Sequence, residues 1–268
     1  MAKPQAKLWR VQALNNVECL KAIGINHAFD RHIHNGFGLA VVDQGRLAYR
    51  TEAGDHLLEP GDVLVINPGQ VHWGGTVDGD RYSYRIVYPA CETVARAMPG
   101  QDDPRLPYFA NNQIRDRCLT QRLQHLMTAL ENDPITLAQE TFLTQILAEL
   151  VTRHADQSID PLTPESQIVQ CIRDYLEAFY RQNPSLTELA NLVQMKPLRL
   201  LRTFRKAMGL PPHAYLLQVR IHHAKAQLAQ GHAIAEVAID TGFADQSHFT
   251  RHFKRFVGVT PGQYVLGC

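Results

Sequence analysis

Two stretches near the end of the chain place base-reading and phosphate-gripping side chains at helical spacing. In QSHFTRHFK (246–254), Phe249 and Phe253 stand at i and i+4, and Gln246, Ser247, Thr250, Arg251 and Lys254 occupy the other side. In LRLLRTFRK (198–206), Leu200 and Phe204 repeat that spacing, and Arg199, Arg202 and Lys206 lie opposite. The chemistry of such faces is that of the DNA major groove. Arg suits guanine, Gln suits adenine, Thr can touch a thymine methyl, and Lys or Arg can hold phosphate. The apolar pair anchors each helix to a core and leaves the polar face free to enter a groove.

These helices belong to a module that occurs twice. TFRKAMGLPPHAY (203–215) and HFKRFVGVTPGQY (252–264) align without a gap at an offset of 49, pairing Phe204 with Phe253, Gly209 with Gly258, Pro212 with Pro261 and Tyr215 with Tyr264. Upstream, LTELANLVQM and IAEVAIDTGF match at an offset of 48, pairing Leu189 with Val237 and Ala190 with Ala238. A short helix with a small Ala at its packing face, a tight turn and a second helix make a helix-turn-helix. In the second copy Gly242 can take the left-handed backbone of a sharp corner. Between the modules, PPHAYLLQVRIHHAKAQLAQG predicts one helix of roughly 19 residues and about 28 Å. A strut of that length suits two recognition helices in neighbouring major grooves, about 34 Å apart along one DNA face.

Charge divides the chain in the same sense. From Glu165 onward there are 12 Lys/Arg against 7 Asp/Glu, while the preceding part is acidic, so the basic half points to nucleic acid. Five scattered cysteines, none at C-x-x-C spacing, argue against disulfides and a cysteine zinc site. No apolar run approaches the roughly 20 residues of a membrane span. These features predict a cytoplasmic protein with no membrane contact.

The element pattern predicts a β domain followed by an all-α domain. Residues 8 to 90 show strand-sized runs punctuated by Gly, Pro and Asp, predicting a small antiparallel barrel or sandwich. From 112 to 153 the period becomes helical, with Leu119, Leu123, Leu126 and Leu130, then Phe142, Ile146, Leu147 and Leu150. Asn132, Asp133 and Pro134 divide this run into a helical hairpin that covers the barrel and is a candidate homodimer surface. ADQSIDPLTPES reads as a linker. The expected organisation is 1–154 as an effector-binding and possible dimerisation domain, 155–166 as linker and 167–268 as a DNA-binding domain.

IAEVAIDTGFADQSHFTRHFKRFVGVTPGQY resembles the carboxyl signature of AraC-type transcriptional regulators, with Ile234, Val237, Ala238, Gly242, Phe243, Ser247, Phe249, Arg251, Phe253, Lys254, Gly258, Thr260, Pro261 and Tyr264 in place. One departure lies in the first module. Where the family usually has a helix-capping Ser, this chain has Lys196, which puts a further cation beside the DNA. RHIHNGFGLAVVDQG and LEPGDVLVINPGQVH resemble the two motifs of a cupin barrel, the effector domain of this family. The resemblance implies a sequence-specific regulator of double-stranded DNA, an activator by family habit, contacting RNA polymerase and modulated by a small molecule.

It also implies an effector pocket at His32, His34 and His72, and the stretch RYSYRIVYP offers Tyr82, Tyr84 and Arg85 as candidates to line the same cavity. His32, His34 and His72 stand where cupin enzymes hold a metal, but the glutamate of the first motif is missing. The expectation is therefore a non-enzyme with no metal and no cofactor. Two alternatives stay open: a metal-dependent cupin enzyme joined to a DNA-binding domain, and a regulator whose barrel serves only oligomerisation.

Overall fold

The computed structural model describes residues 4–14, 16–98, 106–132, 137–156 and 164–267. The chain folds into two compact units that divide near residue 160, with Phe29–His32 belonging to the second. The expected linker at 155–166 falls mostly outside the described residues, as does the hairpin turn at Asp133 and Pro134.

The amino-terminal region is β-rich. Its strands are β1 (Gln5–Val11), β2 (Val17–Ile25), β3 (Ala28–His32), β4 (Gly38–Gln44), β5 (Leu47–Thr51), β6 (Asp55–Leu58), β7 (Val63–Ile66), β8 (His72–Thr76), β9 (Tyr82–Tyr88) and β10 (Gln113–Ile114). One sheet has the order β1-β2-β9-β4-β7-β10 and the other the order β3-β8-β5-β6. The short helix α1 (Cys91–Arg96) follows β9, and two longer helices, α2 (Arg117–Asn132) and α3 (Leu137–His154), complete the unit.

Strands β4 and β7 are apolar on both faces because both are covered. Leu39, Val41, Val63, Val65 and Val87 pack in one cluster with Leu119, Leu123, Leu126 and Leu130 of α2 and with Leu143, Ile146, Leu147 and Leu150 of α3. The helical stripes are therefore spent on the barrel. Phe142 is only partly buried against this cluster, and Leu143 takes the core position. Among the described residues of α2 and α3 no large hydrophobic side chain is exposed.

The second unit is helical: α4 (Pro164–Ala178), α5 (Leu186–Leu192), α6 (Pro197–Met208), α7 (Pro212–Ala229), α8 (Ile234–Asp240), α9 (Gln246–Val257) and α10 (Pro261–Leu266). The sequence repeat is a structural repeat. Helices α5 and α8 have 7 residues each, and α6 and α9 have 12 each. Both 12-residue helices end on a left-handed glycine, Gly209 at φ 64° and Gly258 at φ 85°. Tyr215 meets Phe204 edge-on at 5.8 Å, and Tyr264 meets Phe253 in the same way at 5.2 Å. Helix α7, with 18 residues, is the strut between the copies and is about 27 Å long.

Candidate functional site

The outer faces of α6 and α9 are built by what the inner faces bury. Leu200, Phe204, Phe249 and Phe253 are all fully buried, as are Ala190 and Ala238 on the preceding helices, where a larger side chain would hold the helix pair apart. This leaves Lys196, Arg199, Arg202, Lys206, Gln246, Ser247, Arg251 and Lys254 exposed, with Thr250 half-buried at the edge. All nine sequence-predicted residues thus lie off the core face of their helices. Arg205 and Arg255 are exposed on the same helices and escaped the sequence reading. The signal was present, since the offset of 49 pairs Arg205 with Lys254 and Lys206 with Arg255.

The two helix starts differ. Asp245 caps α9 by accepting a hydrogen bond of 2.7 Å from the His248 N–H, whereas Lys196 at the start of α6 makes no side-chain cap. The preceding turns differ as well. Gly242 takes φ 85° in the second module, and its counterpart Gln194 takes φ 52° in the first. A Cβ on Gly242 would stand 2.9 Å from the Arg181 carbonyl oxygen and 3.0 Å from Cζ of Arg220.

Arg220, also missed in the sequence, fastens the modules to the strut. From the middle of α7 its buried guanidinium donates to the carbonyls of Tyr180 at 2.8 Å and Gln182 at 2.7 Å, and to Oδ1 of Asn183 at 2.8 Å. Its other side lies over the Phe243 ring at 6.0 Å, so one cation touches the loop before α5 and the turn before α9. Burial lowers its pKa, and the three acceptors stabilise the charged form. Within α9, His248 and His252 pack edge-on at 4.6 Å beside Phe243. Burial, then the neighbouring His248, Arg255, Arg251 and His213, push the His252 pKa down to about 4.

In the barrel region, His32, His34 and His72 each offer one imidazole nitrogen, all within 4.8 Å of one another. Nδ1 of His32 lies 2.7 Å from the Asp30 carbonyl, and Nδ1 of His72 lies 2.9 Å from the Gln70 carbonyl. A carbonyl only accepts, so in each of these contacts Nδ1 carries the proton that is donated. Side-chain amides hold the loop that delivers His72: buried Asn67 donates to the Phe109 carbonyl at 2.9 Å, half-buried Gln70 to Asn112 at 3.1 Å, and buried Asn112 to the Val65 carbonyl at 2.7 Å.

Rings extend from these histidines in a chain, with His34 to Tyr88 at 4.8 Å, His34 to His72 at 5.1 Å and His72 to Tyr49 at 5.3 Å. Tyr49 and Tyr88 are additions to the sequence reading. The Tyr49 hydroxyl is buried without a hydrogen-bond partner, and burial raises the pKa of both phenols, keeping them neutral donors.

Tyr84 is buried and stacks on Tyr82 at 5.8 Å, and its pKa too is raised by burial. Arg85 corrects the sequence expectation. Its guanidinium is bound by Asp43 at 2.8 and 2.9 Å and donates to the Gln124 carbonyl and Thr128 hydroxyl of α2. Successive residues on a strand face opposite ways, so Tyr84 and Arg85 cannot line one cavity; Arg85 ties the sheet to its covering helix.

A β-rich unit with an aromatic and imidazole cluster, joined to paired helix-turn-helix modules with cationic outer faces, defines a ligand-binding-domain regulator of DNA. Residues 14–151 match the model of the AraC-like ligand binding domain, and residues 189–266 match that of a helix-turn-helix domain. The chain belongs to the AraC family of transcriptional regulators. It is 31% identical over 235 residues to the HTH-type transcriptional regulator YbfI of Bacillus subtilis (strain 168), covering 87% of this chain and 86% of that one. It is 25% identical over 246 residues to the HTH-type transcriptional activator RhaS of Yersinia pestis (strain Pestoides F), covering 87% and 88%. The fold resembles the crystal structure of ToxT from Vibrio cholerae O395, with a TM-score of 0.57 and 12% identity over 98% of this chain and 97% of that one.

Proposed function

We propose that this chain is an effector-responsive transcriptional activator that lays α6 and α9 into adjacent major grooves of one operator. The observation that carries the reading is the duplicated exposed face, in which the same buried anchors present Arg199, Arg202 and Lys206 in one copy and Gln246, Ser247, Arg251 and Lys254 in the other. Activation is the role that the name of RhaS carries, and contact with RNA polymerase is the step through which it would act. The protein works in the cytoplasm by binding and not by catalysis.

The effector in this reading is a small molecule with hydroxyl groups, held at His32, His34, His72, Tyr49 and Tyr88. Such a group can accept from the buried, unpartnered Tyr49 hydroxyl. The engagement of Arg85 elsewhere removes the cation that an anionic effector would have met. Three imidazoles are also a donor set that Zn or Fe accepts. Less than about 0.1 equivalents of metal after native purification removes that occupant.

The deciding experiment is footprinting on the upstream region of the gene itself, with and without a panel of metabolites and at two salt concentrations. Protection of about two helical turns per monomer that changes with one metabolite supports the reading. Weak, sequence-independent binding that collapses with salt overturns it.

A further inference from the structure

Leu198 is the second residue of α6 and is 68% exposed, although Leu200 and Phe204 of the same helix are fully buried. Single exposed leucines are common on protein surfaces. The setting of this one is not. It stands on the outer face, with Arg202 one turn and Arg205 two turns further along the same line, and Lys196 and Arg199 beside it, all exposed. Helix α6 contains no acidic residue. An apolar side chain ringed by cations complements a polyanion that carries apolar groups between its charges. Duplex DNA meets that description through the thymine 5-methyl groups lining the major groove.

The repeat sharpens the assignment. At the offset of 49, Leu198 corresponds to Ser247, which is exposed at the second position of α9. The same place on two equivalent helices therefore holds an apolar group in one module and a hydroxyl in the other. Leu192, 49% exposed at the end of α5, is the nearest exposed large hydrophobic residue in sequence among the described residues, but it lies in the preceding helix and outside the cationic row.

We infer that Leu198 is a specificity-determining residue of the first module that packs on a thymine methyl, while Ser247 hydrogen-bonds a base edge or phosphate at the equivalent place in the second. The inference rests on the proposed docking of α6 in a major groove. It makes the two modules read different sequences, so one orientation on an asymmetric operator is favoured.

The test uses the full chain and a duplex selected from a random-sequence pool. Each thymine is replaced in turn by uracil, which removes only the 5-methyl group, and affinity is measured for wild type, Leu198→Ala and Leu198→Met. At one thymine the wild type loses about fourfold in affinity, as expected for one methyl-sized group returned to water. Leu198→Ala loses a similar factor on the parent duplex and is indifferent to uracil at that position, whereas Leu198→Met keeps the sensitivity. An unchanged melting temperature of both variants separates lost contact from lost fold. If Leu198→Ala binds the parent duplex as wild type does, or feels every replacement as wild type does, the inference is overturned. Arg202→Ala distinguishes the two levels: a loss with Arg202→Ala but no Leu198 coupling removes the leucine assignment alone, and no loss with either removes the docking as well.

Discussion

Arg202 and Arg251 occupy equivalent places in the two modules, each exposed two residues before a buried Phe anchor. Each substitution to Ala is expected to weaken operator binding by about 1–3 kcal/mol at fixed salt, whether the guanidinium reads a base or grips a phosphate. Gel shift or anisotropy titration checks this, and unchanged affinity for both variants refutes the groove assignment. A second pair of changes tests the turns. Gln194 sits at φ 52° where Gly242 sits at φ 85°, so Gln194→Gly should stabilise the helical unit by up to about 1 kcal/mol through relief of left-handed strain. Gly242→Ala should destabilise it by more than about 1 kcal/mol, because the new Cβ also meets the Arg181 carbonyl and the Arg220 guanidinium. Denaturant unfolding of both variants reads the opposite signs. Residue types at helical spacing were enough to place the buried anchors and eight of the nine candidates off the core face, and Lys196 came from the family resemblance. Arg220 was not legible, because its partners lie about 40 positions away in sequence and only folding brings them together.

At the scale of elements, α9 carries a pH dependence within its own packing. The His252 pKa is lowered from 6.5 to about 4, first by burial and then by His248, Arg255, Arg251 and His213. A lowered folded-state pKa in a base means that the unfolded chain binds the extra proton first. The stability that His252 contributes is therefore full above pH about 6.5 and falls as the pH is lowered toward about 4. His252→Leu should flatten that part of the profile, and melting temperatures measured across this interval test it; an identical slope in the variant contradicts the assignment. The helix hairpin gives a different lesson. Its stripes at Leu119 to Leu130 and Ile146 to Leu150 were readable as apolar faces, but periodicity does not say what covers them. In the structure they meet the β4, β7 and β9 face of the sheet. The Arg85 expectation failed at this scale too, since strand phase is invisible until the pairing of β9 with β4 is known.

At the scale of the whole molecule, the helical part is expected to act as an independent reader of DNA. Residues 165–268 expressed alone should fold cooperatively and bind the operator without effector, checked by circular dichroism and anisotropy; a disordered, non-binding fragment would show that the modules need the β-rich part. Among the described residues no helix is long and apolar enough to cross a membrane. The division of the chain, the duplicated helix-turn-helix and its cationic faces were determined by sequence alone, because helix periodicity, turn glycines and a repeat are local properties that need no partner to be seen. The ring chain from Tyr88 through His34 and His72 to Tyr49, the orphaned Tyr49 hydroxyl and the commitment of Arg85 to Asp43 were decided only by tertiary structure. Each depends on which strands pair and in what register, and those choices are made by long-range contacts that no single stretch of sequence contains.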